Sequence, residues 1–420
     1  MRRFASSSAT SVLASFPEWA EGAAHVAAGR HAAAIVPLQR VVEVCDSVMG
    51  ADSPASTLAL SSVLAAHGAS GAASAPPSGA MLERLATSAH ATELDLSRTA
   101  RCALNRGMLD LAEQCGARLQ RHGAANGLLS ASAEGAASVA TALLLRGRVA
   151  RAAAGGGSAS ADALTACARM TLDDALTEFD DADDVESAPL LLLLGAASHD
   201  EGDSEGAVRC CELTVARLDA TAAADGAGAL APRLAAWRCD ALSNIGAASL
   251  VEAPPDLEAA QGVLERALGD TGDVDEGRRG RAVALMAVLL HRQEKAVSAE
   301  GLFRSGIDSL RAAAEASSGG ALALAPRRAL SGALRDYAAL LAEWDKREGD
   351  AACAASDAAA EDELARRALA LGVALGGESD ASYSVHGVPT LGMGVEQSWG
   401  GASAADAGTE DDGDNVPVAL

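Results

Sequence analysis

An all-α fold assembled from stacked helical pairs is what this sequence predicts, and three observations predict it. Apolar residues make up 49% of the 420 residues, yet aromatics make up only 2%, and alanine supplies much of the apolar share. Alanine is the strongest helix former. Its methyl buries so little area that a core of alanines needs helices in close approach. Alternating runs of β-branched and aromatic residues, the mark of strands, are absent. Third, one spacing recurs: a small residue, a second residue four positions on and a third three further on, which is one face of a helix.

At the N-terminus, MRRFASSSATSVLASF (1–16) carries Arg2, Arg3, many serines and no acid, and resembles an organelle transit peptide. A disordered N-terminus is the alternative. The helical repeat domain is expected over 17–375. Its first unit joins Gly22 to Ala34–Leu38–Val41. The spacing returns at Ala112–Gly116–Leu119, Ala161–Thr165–Ala168, Ala207–Cys211–Thr214, Ala260–Leu264–Ala267, Ala299–Phe303–Gly306 and Glu361–Ala365–Ala368. Successive first residues lie 78, 49, 46, 53, 39 and 62 apart. Such intervals suit helical pairs of about 40 residues with variable loops. The long first interval has room for a pair at 53–68 and 80–96. The total is about seven or eight hairpins.

A second pattern lies on the helix before five of these, those that begin at Ala34, Ala207, Ala260, Ala299 and Glu361. Twelve residues ahead of Ala34, Ala207 and Ala299 stand Gly22, Gly195 and Ala287. Large residues flank them: Leu191 and Leu194 before Gly195, Leu242 and Ile245 before Gly246, Val283 and Met286 before Ala287, Leu334 and Tyr337 before Ala338. Antiparallel helices cross closely only where neither carries a bulky side chain. Gly22, Ala34, Gly195, Ala207, Gly246, Ala260, Ala267, Ala299 and Phe303 are therefore expected to pack helix on helix. Gly202, in HDEGDSEG, is placed to take a left-handed turn.

These patterns resemble the tetratricopeptide repeat family over residues 17–372, most closely at 188–306. The longer intervals bring the chain nearer the roughly 42-residue variety seen in kinesin light chains. It departs from the family in lacking the usual tryptophan and tyrosine on the first helix and, mostly, the proline that closes the second. The resemblance implies an α-α superhelix presenting a concave surface. Gly/Ser/Ala-rich stretches at 66–80 and 153–160 and the acidic DDADDVE at 180–186 read as loops. Residues 376–420 read as a disordered acidic tail.

Net charge is −24, unevenly spread. Residues 1–160 hold 13 Arg against 11 Asp and Glu, a balance of +2, so the remainder holds 20 basic and 46 acidic groups, a balance of −26. An acidic surface of this kind argues against a nucleic-acid partner, which needs a basic footprint. The eight cysteines form no CxxC pair, and no N-x-S/T site occurs. Both facts suit a reducing, cytoplasmic setting; a mitochondrial or plastid address is the alternative if 1–16 is a transit peptide. No apolar run reaches the length of a membrane span.

No phosphate-binding loop, nucleophile elbow or paired-histidine zinc motif occurs. His199 has carboxylates beside it but reads as a solvated helix end. Cys210 and Cys211 are neighbours, so one of them is expected to face solvent. No cofactor and no metal are expected.

The resemblance also allows one site to be tested. Some tetratricopeptide co-chaperones clamp a C-terminal carboxylate with polar residues on three successive first helices. The matching positions here are Leu192, Ala196, Asn244, Arg281 and Leu285. Only Asn244 and Arg281 suit the role, so chaperone-tail binding does not follow, but these two could hold a polar group of a partner segment. The expected function is a non-catalytic scaffold or adaptor that takes another protein's segment in its concave groove. The alternatives are an organelle assembly or import factor using the same repeats, and an α-helical enzyme whose site is not visible in sequence.

Overall fold

The structure is a computed structural model that describes residues 9–70, 77–154, 158–179, 185–224, 232–251, 255–269, 274–316, 324–344 and 346–374. Among the described residues every regular element is helical. After a helical turn at 9–13, sixteen α-helices pair into eight consecutive hairpins: α1 (Pro17–Ala27) with α2 (His31–Met49), α3 (Pro54–Ser70) with α4 (Gly79–Thr87), α5 (Glu93–Asn105) with α6 (Leu109–Asn126), α7 (Leu129–Ala153) with α8 (Ala159–Leu176), α9 (Ala188–Asp200) with α10 (Ser204–Ala224), α11 (Pro232–Val251) with α12 (Leu257–Gly269), α13 (Glu276–Arg292) with α14 (Ala296–Ala316), and α15 (Leu324–Ala342) with α16 (Glu348–Ala374). From α3 onward, each first helix of a hairpin also packs on the first helix of the next. The result is an all-α superhelical array with an inner layer of first helices and an outer layer of second helices.

The recurrent spacing marks the outer layer. Ala34, Leu38 and Val41 are buried on α2, Ala260, Leu264 and Ala267 on α12, and Ala299, Phe303 and Gly306 on α14. Gly22, Gly195 and Gly246 are buried on the facing inner helices. A methyl on Gly22 would come 2.7 Å from Leu38, and one on Gly246 would come 2.7 Å from Leu264. These glycines let the outer leucine lie directly on the inner backbone. Backbones also meet between successive hairpins: a methyl on Gly135 of α7 would lie 2.6 Å from the Gly116 carbonyl of α6.

Four hairpins turn in the same way, and a fifth shares the left-handed residue. A residue of left-handed backbone conformation ends the inner helix at Gly29, Gly107, Gly202, Glu294 and Lys346. In the first four, the following N–H reaches back to the inner helix: Arg30 to His25, Met108 to Ala103, Asp203 to Ser198 and Lys295 to Leu290, at 2.8–2.9 Å. This is the Schellman closure. Five residues past the turn residue stand Ala34, Ala112, Ala207, Ala299 and Ala351. Each donates its N–H to the carbonyl four residues back, at the start of the outer helix.

That register corrects the last unit. Ala351, not Glu361, is the equivalent of Ala299, and Ala351 and Ala358 are buried where Glu361 is not. The side chain of Ala368 lies outside the described residues. In an alanine-rich helix a shift of ten residues leaves the pattern nearly unchanged. The expected helix at 80–96 is also corrected: it breaks into α4 and α5 at Ser88–Thr92. There the Thr92 side chain accepts from the Asp95 N–H while Asp95 accepts from the Thr92 N–H, a capping box that starts a new helix.

Of the expected loops, residues 71–76, 155–157 and 180–184, like the tail 376–420 and residues 1–8, lie outside the described residues. Residues 66–70 belong to α3 rather than to a loop. Ala9 and Leu13 are buried, so the described end of the N-terminal segment packs into the array.

Candidate partner-binding site

The central inner helices, α7, α9 and α11, are covered on nearly every side. Leu190–Leu193 fill α9, which has no exposed residue, and neither 132–148 of α7 nor 234–250 of α11 exposes a side chain. A helix apolar all round is stable only when it is covered all round. The positions that an open concave groove would display are therefore closed: Leu192 is 3% exposed, Ala196 0%, Asn244 1%, Arg281 6% and Leu285 2%.

Asn244 and Arg281 are brought together. Arg281 Nη2 donates to Asn244 Oδ1 at 2.6 Å, and Asn244 Nδ2 points at Cys211 Sγ at 3.8 Å on the outer helix α10. One turn earlier on each helix, Arg278 Nε donates to Asp240 Oδ2 at 2.8 Å. Burial pushes the Asp240 carboxyl above the usual carboxylate range, and the Arg278 charge opposes that. Among the described residues no carboxylate lies within ion-pair distance of the Arg281 guanidinium, although its charge acts on Asp240 one turn away, and its buried Nε has no acceptor. Its one hydrogen bond is to a neutral amide, which leaves that Nε unsatisfied. Spacing alone picked these two residues; the hydrogen bond between them, 37 residues apart, has no local sequence signal.

Other polar rungs join inner helices and were missed in the sequence. Arg148 of α7 clasps Asp200 of α9 at 2.8 and 3.3 Å, both side chains closed from solvent. Arg101 of α5 pairs with Glu134 of α7 at 3.0 Å. His199 sits beside this system, and among the described residues no group of three His, Cys, Asp or Glu is placed to hold a metal ion.

The cysteines differ from expectation in one respect. Cys210 and Cys211 are both buried, because α10 packs against α9 on one side and α11 on the other. Burial pushes the Cys210 thiol up to about 11, and those of Cys115, Cys211 and Cys239 up to about 12. Such thiols stay protonated at neutral pH and are poor nucleophiles. Cys167 and Cys353 are the exposed ones.

Comparison with known proteins adds little to this geometry. No family model matches the chain, and no curated protein matches it. Among solved structures, BtubC (BKLC) from P. vanneervenii is similar at 16% identity and a TM-score of 0.37, covering 66% of this chain and 92% of that one. A circular tandem repeat protein with novel repeat topology is similar at 13% identity and a TM-score of 0.29, covering 84% of this chain and 89% of that one. The architecture described above rests on the chain's own helix packing. No described helix is long and apolar enough to cross a membrane.

Proposed function

We propose that the chain is a non-catalytic protein-interaction scaffold of the tetratricopeptide kind, taking a segment of another protein on its inner helical face, with Asn244 and Arg281 as the polar contact. The single observation that carries the reading is Arg281: a buried guanidinium whose only bond is to a neutral amide and whose Nε is unsatisfied. Both residues are closed in the unbound chain, so a segment reaches them only where α11 and α13 part; its carbonyl or carboxylate would then complete Arg281 and release Asn244 to bond the segment's backbone. The raised thiols and the identical turn register support a packing role for the rest of the array.

The test is affinity capture with the wild type and with Arg281→Met, which keeps the apolar stem and removes the charge. A partner held by the inner face is captured by the wild type and lost by Arg281→Met at equal helicity. Equal capture by both proteins would place the binding elsewhere.

A further inference from the structure

Two positions on the outer helices recur in the ties between hairpins. Both are counted from the small residue that opens each buried stripe. The twelfth position on looks forward, to the next hairpin. Asp46 of α2 stands there, twelve past Ala34, and accepts from Arg84 Nη1 of α4 at 2.6 Å. Asp219 of α10 stands there, twelve past Ala207, and pairs with Arg266 of α12 at 2.7 Å and with Arg238 of α11 at 2.8 Å. The sixth position looks back. Arg266 is six past Ala260, and Arg118, six past Ala112, donates to the Ser88 carbonyl beyond α4 at 3.0 Å. A carboxylate facing forward and an arginine facing back thus tie neighbours together.

The two ends of the array carry one half of this tie each. Arg40 of α2 lies six past Ala34, on the side where no described hairpin stands. It is exposed, and among the described residues it has neither a hydrogen bond nor an ion pair. Val44 and Val48, one and two turns further on the same side, are 37% and 73% exposed. Beside them α1 leaves Ala20, Ala23, Ala24 and Ala27 in solvent, where α9, with a hairpin on either side, exposes nothing. At the other end, Glu363 of α16 lies twelve past Ala351. Ala355, four past Ala351, is exposed, whereas Leu38, Gly116, Thr165, Cys211, Leu264 and Phe303 are all buried at that position. Ala352 and Ala359 are exposed next to it.

We propose that the array stacks head to tail on a second copy of itself, the back of α2 in one molecule meeting the front of α16 in another. Arg40 then pairs with Glu363, and Val44 and Val48 lie on Ala352, Ala355 and Ala359, large side chains on small ones. The matching halves of the tie favour a second copy as the occupant, and so does charge. Residues 1–160 balance at +2 and the remainder at −26, so the C-terminal end of one copy repels its equivalent and is drawn to the N-terminal end. The contact uses different patches on its two sides, so each added molecule leaves one patch of each kind open and growth continues beyond a dimer. It does not involve Arg281 and stands or falls separately.

The experiment is sedimentation equilibrium of the full chain over about 1–200 μM at low salt, because one hairpin edge makes a small, screened interface. The weight-average mass of the wild type is expected to climb with concentration and pass that of a dimer. Arg40→Glu and Glu363→Arg each set like charges at the junction and are expected to sediment as monomers. An equimolar mixture of the two offers opposite charges between unlike molecules and is expected to regain the wild-type mass. A wild type that stays monomeric, a mixture that does, or a reversal that assembles as the wild type does would overturn the proposal. Loss in Arg40→Glu alone would set two N-terminal ends face to face and overturn it as well. If either reversal lowers the far-UV circular dichroism, Val48→Asp and Ala355→Asp, at exposed residues of the two faces, decide instead. Both are expected to abolish assembly, and assembly by either would overturn the proposal.

Discussion

The first six hairpins and the last two hold together by different means. Most of the buried side chains from Ala9 to Leu242 form one core, dominated by alanine and leucine with Trp237 enclosed in it, in which α6 and α7 meet backbone to backbone at Gly116, Gly123 and Gly135, while Ala260 and Leu264 of the sixth hairpin pack instead with Leu285 and Leu289 of α13. The last two hairpins have a core of their own, centred on Phe303, whose ring lies 5.7 Å from that of Tyr337. Around it Glu300 bonds both Arg304 and Arg347. Small residues bring area together by bringing helices close; large ones do so by filling the space between helices held further apart. The small residues at Gly280 and Gly306 bring α13 and α14 close in the C-terminal part as well, so the contrast is one of emphasis, with the aromatic pair added.

The sharpest way to break that comparison is to damage one core and watch the other. Phe303→Ala is expected to cost about 3–5 kcal/mol through the cavity it leaves. Gly135→Ala is expected to cost about 3 kcal/mol, because the new methyl meets backbone atoms that cannot rotate away. If the cores are separate, amide exchange will show lost protection in α14 and α15 for the first variant and in α6 and α7 for the second. Uniform loss across the chain in both would make the array one cooperative unit.

Acidity offers a smaller lever on the C-terminal part. Asp336 of α15 is half-buried with no hydrogen bond, and burial pushes its carboxyl up to about 7, although Arg292 and Arg335 pull the other way. An acid whose folded value is raised costs nothing below its unfolded value, costs progressively more as pH rises, and reaches its full cost above the folded value. The window is therefore about pH 4 to 7. Asp336→Asn is expected to stabilise the protein by about 1–2 kcal/mol at pH 8, with water at the half-exposed carboxyl limiting the gain. The gain should vanish at pH 4. A gain that is the same at both pH values would show that ionisation is not its origin.

The smallest effect tests the shared turn. Glu294 has φ of 61°, in the place that glycine fills at Gly29, Gly107 and Gly202. Glu294→Gly is expected to raise stability by about 0.5–1 kcal/mol, since a side chain is strained in that conformation. Denaturant unfolding that shows a loss would mean that the Glu294 side chain contributes more than the strain costs.

Most outer helices were legible in the sequence because they show one buried stripe that begins on a small residue and continues four and seven positions on, as Ala260, Leu264 and Ala267 do. The facing glycines were legible for the same reason. The inner helices were harder: α9 reads APLLLLLGAASHD and has no polar side to betray its orientation. The last unit was misplaced because alanines occur at every phase of α16. The polar rungs could not be read at all, since Arg148 and Asp200 are 52 residues apart and nothing local links them. Asn244 and Arg281 could be named one by one from their positions, but their mutual bond and their enclosure depend on how two helices settle against each other. The constant five-residue offset between Gly29, Gly107 or Gly202 and the alanine that follows was present in the sequence throughout.

That offset makes the turn a phase-setter. One residue added between Gly202 and Ala207 would rotate α10 by about 100° about its own axis, swinging Ala207, Cys211 and Thr214 off the inner helix and presenting Cys210 and Leu213 in the places of the last two. One residue added between α10 and α11 would leave the phase within each hairpin intact. Length is therefore locked wherever a left-handed residue sets the turn, inside four hairpins and also between α6 and α7 at Gly127, whose following N–H closes on Gly123 in the same way.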